Sequence, residues 1–241
     1  MLKQKLQTLF GKKNIYFVDK TRTGMDQLLQ NLDSKKSICF QEEGGWHTYP
    51  KSAKKQGFEI KYLKQKDGKL IEFPNGKEIL ILNSMPGYCY DEDIQKISSY
   101  CKENKVLLIN DVTASIGSQK PLGDIIICSF GNYKPLSIGE GGIIASDQEL
   151  NLKQTKINEE LLEKEIENLP LKLNKWKQLK QKIEQELKQK IINKNQGINI
   201  LVDDKKENLI NYLSKNKLEY LECPIYIRTN KKCISIEIKR R

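Results

Sequence analysis

The chain has 241 residues, 38% of them hydrophobic and 30% charged, with a formal net charge of +11 and a single histidine. That length holds one substantial core or two modest domains, and no apolar run approaches the roughly 18 to 20 residues a membrane helix needs. The lysines are spread along every segment among Glu, Gln and Asn, with few aromatics between them to stack bases, so weak adhesion at low salt is expected and specific nucleic-acid binding is not.

Leu2, Leu6, Leu9 and Phe10 mark one side of a basic amphipathic helix. It has no contiguous apolar core or small-residue cleavage site, so it is not read as a signal peptide, and a cytoplasmic protein is expected. Asn14 to Val18 reads as a strand, followed by Thr21-Arg22-Thr23-Gly24 and a helix carrying Met25, Leu28, Leu29 and Leu32. A strand that runs into a Thr-rich helix start presents free N–H groups, a usual place for phosphate, although plain helix capping explains the same residues. Ser37 to Gln41 is the next strand. After it, Gly44-Gly45 lets the backbone turn while Trp46 projects; His47 is assigned no role. A helix over Lys51 to Gln56 stops at Gly57. Phe58 to Leu63 is a strand, Lys64 to Lys77 a polar hairpin or surface loop, and Glu78 to Asn83 a strongly apolar strand. Asp91 to Asn104 reads as a helix with an acidic first turn and Lys102 near its end.

The most informative stretch follows. A strand from Val106 to Asn110 ends on Asp111, and a second from Asp124 to Phe130 carries Ser129, with Gly131 and Lys134 just beyond. The turn Gly139-Glu140-Gly141-Gly142 then opens a third strand, Gly141 to Ser146. Seven strands in mostly alternating βα order predict a doubly wound α/β sheet. Ligands of such sheets sit beyond the carboxyl ends of the strands, which is where the acid, the hydroxyl and the lysine are expected to converge.

From Asp147 the composition changes. Gln148 to Asn193 is Lys/Glu/Gln/Leu-rich and reads as helical, interrupted by Pro170. Its second part, Leu171 to Ile192, is a long connecting helix that Gly197 punctuates. A strand over Ile198 to Val202, a helix over Lys205 to Asn216 and strands around Leu218 to Leu221, Ile225 to Arg228 and Cys233 to Ile238 predict a small α+β unit. Arg228 is a candidate for a substrate carboxylate, and Arg240-Arg241 reads as a solvated tail. The six cysteines form no C-x-x-C pair, so reduced structural thiols are expected and no metal site.

Ser129, Phe130 and Lys134 match the Ser-Phe-x-x-x-Lys of fold-type-I enzymes that use pyridoxal 5′-phosphate. Together with Gly139-Glu140-Gly141-Gly142 and the altered Asn110-Asp111-Val112-Thr113, they make the chain resemble the DegT/DnrJ/EryC1/StrS aminotransferase family. The resemblance implies a cofactor-binding large domain over residues 1–147, a helical connection over 148–197 and a shortened small α+β domain over 198–241. It also implies pyridoxal 5′-phosphate as cofactor, held as a Schiff base on Lys134, which would shuttle the proton. Asp111 would pair with the pyridinium, and Ser129 would bind the phosphate beside the N–H groups near Arg22 and Thr23. Trp46 would stack on the ring, with Ser84 and Tyr88 lining the site. The function implied is an aminotransferase moving an amino group from a small donor to a keto acceptor, a nucleotide-linked keto sugar being the family's usual one, in a homodimer. Lysine rather than histidine at position 134 argues against the family's dehydrating branch.

Three features depart from the family pattern. Ala114 stands where Gln or His contacts the cofactor, with Thr113 and Ser115 the nearest polar residues. Nothing between Ser146 and Trp176 reproduces an Asn-Tyr-Arg segment, and the chain is short. Other fold-type-I chemistry (lyase or sulfur/selenium transfer) and a catalytically idle regulatory or scaffold role remain as alternatives.

Overall fold

The computed structural model describes residues 2–187 and 190–241. Seven strands form the main sheet: β1 (Asn14–Val18), β2 (Ile38–Gln41), β3 (Ile60–Leu63), β6 (Ile79–Asn83), β7 (Leu107–Asp111), β8 (Ile125–Ser129) and β9 (Gly142–Ser146), in the order β1-β9-β8-β7-β6-β2-β3. The strands from β8 to β3 are parallel, whereas β9 runs antiparallel to both β8 and β1. The mostly parallel α/β sheet read from the sequence is therefore the observed one. The polar stretch after β3 folds into a two-stranded ribbon, β4 (Gln65–Lys66) with β5 (Lys69–Leu70).

Both faces of the sheet are buried, and the two-residue period of each strand decides which residue goes where. Ile79 and Ile81 face α2 (Thr21–Gln30) and α3 (Thr48–Lys55), while Leu80 and Leu82 face α4 (Ile94–Glu103). Likewise Ile125 and Ile127 join the first layer, and Ile126 and Cys128 join one built with α1 (Leu2–Phe10) and the first half of α5 (Glu159–Glu186). Gly24 allows α2 to lie close on the sheet, since a Cβ there would sit 2.8 Å from a methyl of Ile144.

Several boundaries differ from the sequence reading. The helix expected from Lys51 begins at Thr48, with Pro50 in its first turn, where the missing N–H breaks no helical bond. The acidic start expected for α4 is instead a cap: Asp93 stands before the helix and accepts a bond from the Lys96 N–H. Pro170 does not interrupt α5, which runs straight through it, because Leu162, Leu169, Trp176 and Ile183 bury one side of a single continuous helix. That helix stops at Glu186 rather than Ile192, where the chain turns extended and Ile191 pairs with Val202. Positions 188 and 189, inside the expected span, lie outside the described residues, as does Met1 of the first helix.

The last part of the chain forms β10 (Ile200–Val202), α6 (Lys206–Lys215), β11 (Tyr220–Ile225) and β12 (Thr229–Ile236), the three strands in the order β10-β12-β11. The strand expected over Ile225 to Arg228 is a turn instead: Ile225 pairs with Thr229, and the Arg228 N–H closes on the Ile225 carbonyl at 2.8 Å. The expected solvated tail is a 3₁₀ turn, Ile238–Arg240, packed against α5. Arg240 pairs with Glu219 at 2.6 Å, Arg241 donates to the Asn216 carbonyl at 2.8 Å, and the Trp176 indole N–H reaches the Arg241 carbonyl at 3.3 Å. All six cysteines are free and buried. Among the described residues, no helix is long and apolar enough to cross a membrane, and no group of acids, histidines and cysteines could hold a metal ion.

Candidate active site

Because β1, β2, β6, β7 and β8 all point the same way, their carboxyl ends and the start of β9 open on one edge of the sheet. A cleft of about 660 Å³ lies there. Its wall includes Thr21 and Arg22 at the start of α2, Trp46 after β2, Asp111 at the end of β7, and Ser129 and Lys134 after β8. The β11–β12 turn and the terminal 3₁₀ turn close the other side with Arg228, Lys239 and Arg240. Of the residues singled out in the sequence, Lys134, Asp111, Ser129, Trp46, Arg22 and Tyr88 all meet here.

Two do not line it. Thr23 is turned off the wall, and Thr21 takes its place. Ser84 is 1% exposed, and its hydroxyl lies 2.5 Å from that of Ser115, behind the loop rather than in the cleft. Ser115 is thereby occupied, and Ala114 is buried in a cluster with Met85, Tyr88, Trp176 and Ile236. Arg228, read as a carboxylate binder, is already engaged: its Nε and Nη2 each donate to Glu237 at 2.9 Å, and the pair is almost fully buried.

Asp111 is the electrostatic centre. It is 5% exposed, with Oδ2 accepting from the Tyr49 hydroxyl at 3.0 Å and Oδ1 from the Thr113 N–H at 2.9 Å. Burial pushes its carboxyl above the usual range, and the Thr113 and Tyr49 bonds and the charge of Lys134 oppose the shift. Thr113 also accepts from the Ser129 N–H at 2.9 Å, tying the ends of β7 and β8 together. Lys134 is half-buried, and burial depresses its ammonium despite the attraction of Asp111. Its Nζ stands 5.2 Å from the centre of the Tyr88 ring.

These groups suit pyridoxal 5′-phosphate. A buried carboxylate with no Lys or Arg at ion-pair distance among the described residues is an expensive arrangement that a ring N–H⁺ would relieve. The start of α2 supplies free N–H groups, since Gly24 makes the first helical bond back to Lys20 and no side chain caps the turn. Gly142 keeps the floor beneath them open: a Cβ there would lie 2.5 Å from the Thr21 methyl. Trp46, at 42% exposure, leaves a ring face available beside the acid.

Tyr49 and Lys239 escaped the sequence reading. Tyr49 follows Trp46 by three residues at the start of α3, and only the packing of α3 on β7 gives it a partner. Lys239 sits in a basic run at the end of the chain, which carries no local mark of burial.

The family model for the DegT/DnrJ/EryC1/StrS aminotransferases matches residues 74–204, a span that contains Asp111, Ser129 and Lys134 but not Arg22, Thr23 or Trp46. Comparison with curated protein sequences gives no match. Among solved structures, the chain is similar to Helicobacter pylori PseC, an aminotransferase involved in the biosynthesis of pseudoaminic acid. The TM-score is 0.73 at 13% identity, over 98% of this chain and 84% of that one. It is also similar to a DegT DnrJ EryC1 StrS aminotransferase from Brucella abortus (TM-score 0.70, 11% identity, 98% and 83% covered). A cysteine desulfurase from Thermococcus onnurineus NA1 shares the fold as well (TM-score 0.72, 10% identity, 98% and 77% covered). With a matched segment longer than half the chain and a sheet whose order delivers the acid and the lysine to one edge, the chain belongs to the DegT/DnrJ/EryC1/StrS aminotransferase family of pyridoxal-phosphate enzymes.

Proposed function

We propose that Lys134 is the amine that carries pyridoxal 5′-phosphate and moves the proton in an amino transfer between a small amino donor and a keto acceptor, with a nucleotide-linked keto sugar as the acceptor class. The observation that carries this reading is the pairing, in one cleft, of a buried unpaired Asp111 with a half-buried Lys134 that has no hydrogen-bond acceptor among the described residues. Bound there, the cofactor would delocalise the charge left when a proton leaves the donor carbon. Asp111 would hold a positive charge at the ring nitrogen, kept in position by Tyr49 and Thr113. Ser129 and the open N–H groups of Thr21 and Arg22 would take the phosphate, and Trp46 would cover the ring. Burial of Lys134 enlarges its neutral fraction, which nucleophilic attack and proton pickup both need.

Sulfur transfer on the same fold is the less favoured reading. It requires an accessible thiol, and all six cysteines are buried with none on the wall of this cleft. Unpaired thiols support a cytoplasmic location. The exposed rings of Trp46 and Tyr133 at the cleft support a homodimer that covers them, to be checked by light scattering. The division into a large domain over 1–147, a connection and a small domain from 198 belongs to the same proposal.

The test is borohydride reduction of the protein with added cofactor, followed by peptide mass spectrometry. The cofactor mass is expected on Lys134 and on no other lysine, and absent in Lys134→Ala; label retained by that variant would overturn the assignment.

A further inference from the structure

Trp46 stands on the cleft wall with little of its own to hold it there. Its ring is 42% exposed, and its indole N–H makes no hydrogen bond among the described residues. Its aromatic neighbour is the adjacent His47, tilted at 51° with ring centres 4.8 Å apart. The loop before it carries Gly44 and Gly45, the residues with the most backbone freedom to lose, so its shape depends on contacts from outside the loop. Three such contacts exist. The Gly44 N–H donates to the Tyr226 carbonyl at 2.8 Å, and the Gly44 carbonyl accepts from the Gly87 N–H at 2.9 Å. The third comes from a side chain: Glu43 Oε2 accepts from the Asn230 N–H. The loop is thus wedged between the loop after β6 and the β11–β12 hairpin, and a Cβ on Gly44 would lie 2.4 Å from that of Pro86.

Glu43 is the unusual member of this set. It is 9% exposed, and among the described residues no lysine or arginine lies within ion-pair distance of it; the nearby Lys231 pairs with Asp67 at 2.8 Å instead. Burying an acid is costly, and here the cost is offset by a backbone N–H from a segment 187 positions away. A charge-assisted bond of this kind fixes direction as well as distance. The Glu43 N–H is held separately by Gln65 Oε1 at 2.9 Å, and the Tyr226 hydroxyl donates to the Gln41 carbonyl at 3.1 Å. The end of β2 and the hairpin are therefore stitched together just ahead of Trp46.

We infer that Glu43 is a positioning residue for Trp46: by anchoring the loop to the β11–β12 hairpin, it sets the face that the indole turns to the cleft. This rests on the proposed role of Trp46 in covering the cofactor ring. Ile227 and Arg228 of the same hairpin lie on the cleft wall, so the ring cover and that stretch of wall share one frame.

The test labels the protein with 5-fluorotryptophan, which gives one fluorine signal for each of the two tryptophans, assigned with Trp46→Phe. Glu43→Ala removes the acceptor, Glu43→Gln keeps a neutral one, and Asn230→Ala leaves the backbone N–H in place. Without cofactor, the Trp46 signal should move towards that of free 5-fluorotryptophan in Glu43→Ala, while the Trp176 signal stays. In Glu43→Gln and Asn230→Ala both signals should stay near their wild-type positions. Titration with pyridoxal 5′-phosphate, read on the Trp46 signal, should show binding weakened by about ten-fold or more in Glu43→Ala and largely recovered in Glu43→Gln. An unmoved Trp46 signal in Glu43→Ala would overturn the inference. So would equal displacement of both tryptophans, since Glu43 would then support the fold at large and not this loop. A wild-type Trp46 signal indifferent to pyridoxal 5′-phosphate would instead remove the proposed stacking, and the cofactor-free spectra would still decide whether Glu43 positions the loop.

Discussion

Replacing Tyr49 by Phe removes one hydroxyl from behind Asp111 and leaves the ring in place. The two side chains are 4% and 5% exposed, and the bond between them is 3.0 Å long. A hydrogen bond to an ionised group contributes about 1.5–3 kcal/mol, and the retained ring opens no cavity. The bond acts chiefly on the ionised carboxylate. Burial raises the Asp111 carboxyl, and Tyr49 is one of the groups pulling it back, so the variant's carboxyl should rise further. The sign follows from linkage. A carboxyl raised in the folded state contributes stability below its unfolded value, and that contribution is lost as pH rises through the folded value. The gap between wild type and Tyr49→Phe should therefore be small in acid, widen as pH passes the wild-type Asp111 value, and level off above the variant's. Urea denaturation of the cofactor-free proteins at steps from about pH 4 to 8 measures this gap. A gap that stays constant across the range would refute the idea that Tyr49 works through the charge on Asp111.

Two further substitutions probe the frame around the site. Glu237→Gln leaves the Arg228 guanidinium buried without its bidentate partner and should cost about 3–5 kcal/mol in chemical denaturation; a loss below about 1 kcal/mol would mean the pair is not structural. In the wild type, burial alone would raise Glu237, but the Arg228 bonds and charge hold it below the usual carboxylate range. Its contribution is accordingly present above the unfolded value and lost as pH falls through the folded one. Pro170→Ala returns an N–H to the middle of α5 at an exposed position and should raise stability by about 1–3 kcal/mol; no gain in a urea melt would show that the helix is already bent to suit the proline.

Much of the sheet side of the cleft was legible in the chain because its residues sit at strand ends, where local pattern and position coincide. Apolar runs closing on Asp111 and Ser129, with Lys134 five residues beyond Ser129, needed only the rule that parallel strands deliver their carboxyl ends to one edge. The pattern was less reliable one residue away. Thr21 rather than Thr23 faces the cleft because the first turn of α2 is rotated by burying Gly24 and Met25, and a sequence does not show the phase of a helix against a sheet.

The sequence by itself determined the seven strands of the main sheet, the α/β class and the convergence of acid, hydroxyl and lysine, since these follow from two-residue and helical periods along neighbouring positions. Tertiary structure decided everything that depends on residues far apart in the chain. Tyr49 meets Asp111 across 62 positions, and Arg228, on the cleft wall, is committed to Glu237. The terminal turn carries Lys239 back from the end of the chain to the ring that Lys134 also touches. A lysine's charge is local, but whether that charge is solvated or buried against an aromatic ring is set by what the rest of the fold places around it.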